Sequence, residues 1–346
     1  ASGAASSAPA NYTIAYQPGT LTIDPAALTV TALNQTSTYG QVPDLGTSAY
    51  STSGLVNGDT VSGVTLATAA TGKSAVGNYD ITASAAQGSG LSNYAVTYQP
   101  GTLTIDPAAL TVTALNQSST YGQAPDLGTS AYSTSGLVNG DTVSGVTLAT
   151  AATGKSAVGN YDITASAAQG SGLSNYAVTY QPGTLTIDPA ALTVTALNQS
   201  STYGQAPDLG TSAYSTSGLV NGDTVSGVTL ATAATGKSAV GNYDITASAA
   251  QGSGLSNYAV TYQPGTLTID PAALTVTALN QSSTYGQAPS LDGSAYSVTG
   301  LVNGDTLSGV TLATAATGRS AVGNYDITAS AAQGSGLANY AVTYQP

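Results

Sequence analysis

Apolar residues recur at every second position in short runs along the chain. Leu110-Thr111-Val112-Thr113-Ala114, Tyr161-Asp162-Ile163-Thr164-Ala165, Tyr176-Ala177-Val178-Thr179-Tyr180 and Thr184-Leu185-Thr186-Ile187 each set apolar or aromatic side chains against small or polar ones. A strand turns successive side chains to opposite faces, so a period of two predicts half-buried strands, and Thr, Val, Ile and Tyr suit a pleated surface. Between Ser130 and Ser156, turn signals at Asn139-Gly140-Asp141 and Thr153-Gly154-Lys155 flank Val143 to Ala149 and predict two or three further strands. The Ala-rich stretches Ala149 to Ala152 and Ala165 to Ala168 are short and carry no 3.6-residue period, so at most one short helical turn is expected, in the middle of the unit.

The pattern itself repeats. The phrase Asn-Tyr-Ala-Val begins at Asn93, Asn175, Asn257 and Asn339, a period of 82 residues, with a variant at Asn11. Residues 93–174 and 175–256 are identical. A period this long suits one small domain better than a coil of a solenoid. The inward face slips by one residue at Asp106-Pro107: Leu103 and Ile105 precede it at odd positions, and Leu110, Val112 and Ala114 follow at even ones. A one-residue slip turns a continuous strand inside out, so the chain is expected to leave one core there and enter the next.

Module boundaries therefore fall at Asp24-Pro25, Asp106-Pro107, Asp188-Pro189 and Asp270-Pro271. The expected order is a closing segment of a preceding repeat (1–24) and four modules (25–106, 107–188, 189–270 and 271–346), the last without its closing strand. The expected class is all-β, a tandem array of small modules with six or seven strands each. An immunoglobulin-like β-sandwich is the first expectation, because Val158-Gly159-Asn160-Tyr161 resembles the start of a penultimate strand with an inward Tyr. A β-grasp-like mixed sheet is the alternative. Joints this short, stiffened by Pro, predict an elongated rod rather than beads on a string.

Composition removes most chemistry. The 346 residues include no Cys, His, Met, Trp or Phe, and Asp supplies all of the acidic side chains. Without His or Cys there is no nucleophilic triad, zinc site or thiol chemistry, so no catalytic residue, cofactor site or metal site is assigned and the protein is expected not to be an enzyme. A net charge of -12 with four basic residues argues against nucleic acid and against an anionic membrane surface. No stretch reaches the ~18 apolar residues of a membrane span. Ala1 to Ala10 lacks the basic start and apolar core of an export signal, which is expected to lie outside this chain.

The remaining candidates each have a plainer reading. Aspartates such as Asp106, Asp126, Asp141 and Asp162 raise calcium at the joints, but their spacing matches no calcium loop, the Asp126 position is Ser290 in the fourth module with an Asp at Asp292 instead, and turn and solubility roles are preferred. Lys73, Lys155 and Lys237 suggest an internal isopeptide bond, which Arg319 at the same position in the fourth module could not form; a solvated turn charge is preferred. Tyr161, Tyr176 and Tyr180 fall at inward positions and are read as core rather than as a glycan-stacking row. Asn34, Asn116, Asn198 and Asn280 begin glycosylation sequons, a triplet common by chance.

The succession Leu110-Thr111-Val112-Thr113-Ala114, Thr120-Tyr121-Gly122, Gly136-Leu137-Val138-Asn139-Gly140-Asp141, Val158-Gly159-Asn160-Tyr161, Asn175-Tyr176 and Gly183-Thr184-Leu185-Thr186-Ile187 resembles the MBG-type repeats of bacterial adhesins. The likeness covers nearly the whole chain. Such repeats occur in filamentous-haemagglutinin-like large exoproteins, so it implies a non-catalytic extracellular stalk, spacer or fibre segment, secreted or displayed on the bacterial surface and serving adhesion or biofilm. Gln123 stands where the pattern has an acidic residue after Tyr-Gly. Alternative roles are multivalent binding of host or matrix glycan or protein, or a filament subunit that associates with itself head to tail. In the last of these, the spare strand Thr20 to Ile23 of one copy completes the fourth module of the next; the plainer reading of both ends is a window cut from a longer array.

Overall fold

The structure, a computed structural model, describes Gly3 and residues 11–346. The expected closing segment 1–24 lies partly outside the described residues. The chain divides into two compact units, one formed by Ala1–Gln117, Leu127–Thr150 and Asp162–Thr184, the other by Ser118–Asp126, Ala151–Tyr161 and Leu185–Pro346. The second repeat contributes to both units, so the first repeat serves as the reference for the first unit and the third for the second.

Seven strands form the first repeat: β1 (Ala26–Ala32), β2 (Gln35–Thr38), β3 (Tyr50–Ser53), β4 (Val61–Thr68), β5 (Gly77–Gly88), β6 (Tyr94–Gln99) and β7 (Gly101–Asp106). They make two sheets, one in the order β3-β1-β6 and one in the order β2-β7-β5-β4. β1 pairs parallel with β6, and β2 pairs parallel with β7. β1 runs antiparallel to β3, as β5 does to β4 and β7. The third repeat has the same two sheets from Ala190–Ala196 to Gly265–Asp270. The expected immunoglobulin-like sandwich holds in part: the two sheets are there, but the parallel pairs at β1 and β2 depart from the antiparallel sheets of that fold. The module is a β-sandwich of mixed sheets, and the helical turn sits at Leu91–Asn93 between β5 and β6 rather than in the middle of the repeat.

Alternation places the core. Leu28, Val30 and Ala32 on β1, Ile81 and Ala83 on β5, and Leu103 and Ile105 on β7 are buried, while the threonines between them are half-buried or exposed. Each Leu or Ile contributes about 1.5–3 kcal/mol by leaving water. The largest fully buried side chains are all Leu or Ile, which corrects the expectation of a tyrosine-filled core. Tyr176 is buried, but Tyr161 and Tyr180 are half-buried because their hydroxyls reach backbone groups at the rim: Tyr161 donates to Ala157 O, and Tyr180 accepts from Ala168 N–H. Gly101 lets the two sheets close at the start of β7. A Cβ there would lie 2.5 Å from Ala32 O and 2.8 Å from Leu33 O.

β5 carries an irregularity that recurs in every repeat. Its pairing with β4 shifts register twice, and Ala85, like Ala167, Ala249 and Ala331, sits at a φ of 48° to 50°. The next residue's N–H donates to a tyrosine hydroxyl, Ala86 to Tyr98 and Ala168 to Tyr180, at 2.9 Å. That bond fixes the bulge against the strain of left-handed alanine, roughly 1–2 kcal/mol. Ala167→Gly is expected to leave stability unchanged or raise it by up to about 1 kcal/mol, as relief of strain offsets the greater freedom of the unfolded chain. Ala167→Val is expected to lower it by about 1–2 kcal/mol. Urea midpoints of the two variants check both signs.

The fourth repeat departs from the others. It has Ala272–Ala278, Tyr296–Thr299, Leu307–Thr314, Ile327–Gly334 and Tyr340–Gln345, but Gln281–Thr284 is not a strand, and the long strand begins at Ile327 rather than at Gly323, the counterpart of Gly77. Both differences follow from the lack of a Gly-Thr-Leu-Thr-Ile-Asp partner, which in the first repeat pairs with Gln35–Thr38 on one side and Gly77–Ile81 on the other.

Candidate functional site: the joint between repeats

At the Asp-Pro turn the chain changes modules, and Tyr39 is the residue that ties the turn down. Its N–H donates to Asp106 O at 2.9 Å, holding the end of β2 against the end of β7. Its ring is only 6% exposed because it packs against the next repeat. The Tyr39 hydroxyl donates to Asp141 Oδ2 at 2.9 Å across 102 residues of sequence. Tyr176 donates to the same oxygen at 2.9 Å, with Val138 O at 3.2 Å as a competing acceptor, and accepts Val138 N–H at 2.9 Å. The two rings meet edge to face, centroids 5.5 Å apart at 80°.

Two amide contacts and one glycine complete the joint. Val76 N–H donates to Asn175 Oδ1 at 3.0 Å, and Asn139 Nδ2 donates to Gly72 O at 3.0 Å. Gly40 has a φ of +88°, and a Cβ there would lie 2.6 Å from Val138 Cγ2, so Tyr-Gly is the pair that fits this turn and this approach. The set recurs at Tyr121–Asp223–Tyr258 and Tyr203–Asp305–Tyr340, with the first Tyr and the Asp again 102 residues apart and Tyr-to-Asp distances of 2.9 to 3.0 Å. Each of the three joints lies inside one compact unit.

Burial pushes the hydroxyls of Tyr176, Tyr258 and Tyr340 above the ordinary tyrosine value. The backbone bond to the valine works against that shift, and the hydrogen bond and charge of the neighbouring aspartate add to it. A neutral phenol is therefore the form that the folded joint favours.

The residues weighed from sequence have separate positions. Asp106 accepts Tyr39 N–H through its backbone, Asp141 forms the joint, and Asp162 is exposed. Among the described residues, no three Asp, His or Cys side chains gather as metal ligands would. Lys73, Lys155 and Lys237 are exposed in a turn, each N–H bonded to a threonine two residues earlier. The sequon asparagines hold the closing strand: Asn34 accepts Thr102 N–H, and Asn116 accepts Thr184 N–H, both at 2.8 Å. Sequence reading missed the Tyr–Asp–Tyr contact, since its partners belong to different repeats and the spacing within one repeat carries no trace of it.

No curated protein matches the chain. Among solved structures it is similar to the crystal structure of Drosophila N-cadherin EC1-4, at 7% identity and a TM-score of 0.18 over 75% of this chain and 80% of that one, a likeness that carries no argument. The model of the MBG domain (YGX type) matches residues 28–104, 110–186, 192–268 and 274–346. With a Tyr-Gly-Gln triplet at residue 39 and at each counterpart, the chain belongs to the MBG domain family of the YGX type, here as four tandem copies.

Proposed function

We propose that the chain is a non-catalytic spacer, the stalk or fibre segment of a bacterial surface adhesin, in which each joint holds successive modules at a fixed separation. The observation that carries this reading is the joint, repeated three times with the same partners and distances. An exposed linker would let neighbours swivel, whereas a buried tyrosine with a charge-assisted bond and a ring contact opposes rotation by several weak terms together. The scarcity of charge and the lack of Cys and His leave mechanical work as the role that the side chains can perform. The extracellular setting is part of this proposal and is supported by the resemblance to adhesin repeats.

The test uses the absence of native cysteine. Spin labels on Thr229→Cys and Thr311→Cys, exposed equivalent positions of the third and fourth repeats, report the distance across one joint. A single narrow distribution is expected, broadening when Tyr203→Ala is added. A distribution equally broad in both would sink the spacer reading.

A further inference from the structure

Each joint holds an asparagine placed to react with its own backbone. Every repeat has one Asn-Gly pair, while its other asparagines precede Gln or Tyr, as Asn116, Asn160 and Asn175 do. Glycine has no Cβ to shield its nitrogen, which can therefore reach the side-chain amide of the residue before it. In Asn139-Gly140, Asn221-Gly222 and Asn303-Gly304 the asparagine is exposed at a φ of 56° to 58°, and a Cβ added to the glycine would meet nothing within 4 Å.

The same amide belongs to the joint. Asn139 Nδ2 donates to Gly72 O at 3.0 Å, Asn221 Nδ2 to Gly154 O at 3.0 Å and Asn303 Nδ2 to Gly236 O at 2.8 Å, each across the boundary between repeats. Neighbouring joint residues close the turn that carries it. At the third joint Asp305 N–H donates to Val302 O at 3.0 Å, and the Asp305 carboxylate accepts from Tyr203 and Tyr340. Val302 lies against Gly204, where an added Cβ would be 2.5 Å from Val302 Cγ2.

We infer that Asn139, Asn221 and Asn303 are deamidation sites, shielded while the joint is closed, and that their reaction loosens it. The Gly304 nitrogen bonds to Asn303 Cγ and loses its proton to solvent; the bond from Cγ to Nδ2 breaks, and Nδ2 takes up a proton and leaves as ammonia. One water then opens the cyclic imide at either carbonyl, giving aspartate or isoaspartate. The closed joint opposes this twice. The leaving nitrogen is bound to Gly236 O, and turning the Gly304 nitrogen onto Cγ distorts the turn that Asp305 closes on Val302. Reaction therefore runs from the open joint, at a rate set by how often it opens. The product acts in return: a carboxylate, which has no proton to donate, faces Gly236 O, and isoaspartate also lengthens the backbone of the turn.

Asn303 is the site to follow, because Val298 and Leu307 set its fragment apart from those of the other repeats. The full chain is aged in mildly alkaline buffer, and deamidation of this fragment is read by mass spectrometry. It is expected to be slowest in the parent, about tenfold faster in Tyr203→Ala and faster still in urea. Tyr203→Phe, which keeps the ring, should fall between the parent and Tyr203→Ala. A second measurement uses the absence of native cysteine. Alkylation of Val302→Cys reports opening of the contact with Gly204, and adding Asn303→Asp is expected to speed it several-fold. The new carboxylate alone would hold the thiol protonated and slow alkylation, so the sign identifies opening. Equal deamidation in the parent and Tyr203→Ala, a folded parent that reacts as fast as the chain in urea, or alkylation unchanged or slowed by Asn303→Asp would overturn it. None of these readouts is a distance across the joint, so the spacer reading can hold or fail independently.

Discussion

Ile269→Asp in the closing strand of the third repeat is expected to open half of that module and release it from its neighbour. Ile269 and Leu267 are each 1% exposed. The substitution gives up about 1.5–3 kcal/mol of apolar burial and places an unpaired carboxylate in the core, at a cost of several kcal/mol more. The chain then takes the alternative that the fourth repeat displays. There, without a closing strand, Gln281–Thr284 is not a strand, the long strand starts four residues late, and the joint tyrosine is 70% exposed. Amide exchange should therefore quicken at 199–202, 241–244 and 265–270, while the sheet of Ala190–Ala196, Tyr214–Ser217 and Tyr258–Gln263 stays protected, as its counterpart persists in the fourth repeat. Unchanged protection of 199–202 would show that the closing strand does not hold its neighbours in place.

Strand positions were legible because they need only a local rule. Leu110, Val112 and Ala114 are buried, as alternation with threonine requires, and the slip at Asp106-Pro107 marks the passage from one sheet to the next. The sheet partners were not legible. Alternation says which face of β1 is inward but not that β6 pairs with it in parallel, and the likeness of Val158-Gly159-Asn160-Tyr161 to an immunoglobulin strand start concerns four residues, too few to fix topology. Tyr121 reads as a turn residue because Gly122 follows it. Its burial depends on Asp223 and Tyr258 of the next repeat, 102 and 137 residues away. A repeat tells how each copy folds, and the contacts between copies have to be seen in three dimensions.

Asp223→Ala is expected to weaken the joint between the second and third repeats by about 2–3 kcal/mol. Asp223 Oδ2 accepts from Tyr121 at 2.9 Å and from Tyr258 at 3.0 Å. The two tyrosines do not lose equally: Tyr258 keeps Val220 O at 3.2 Å, whereas Asp223 is the acceptor for the Tyr121 hydroxyl, which is left buried and unpaired. Tyr121→Phe removes that hydroxyl and should cost only about 1 kcal/mol. In the Tyr121→Phe background Asp223→Ala should then cost about 1–2 kcal/mol less than alone, a coupling that urea denaturation of the four proteins measures. Alkaline pH acts on the same site. The folded Tyr258 holds its proton above the ordinary value of 10.0, chiefly through burial and further through Asp223 and Tyr121, the groups that face it. Its contribution is complete below pH 10 and is lost as pH rises through 10 to the raised folded value, because the unfolded chain releases the proton first. Asp223→Ala removes the carboxylate's share and leaves that of burial, so the loss of stability above pH 10 should become shallower without disappearing. An alkaline slope identical in the parent and the variant would separate the aspartate from the titration of the joint.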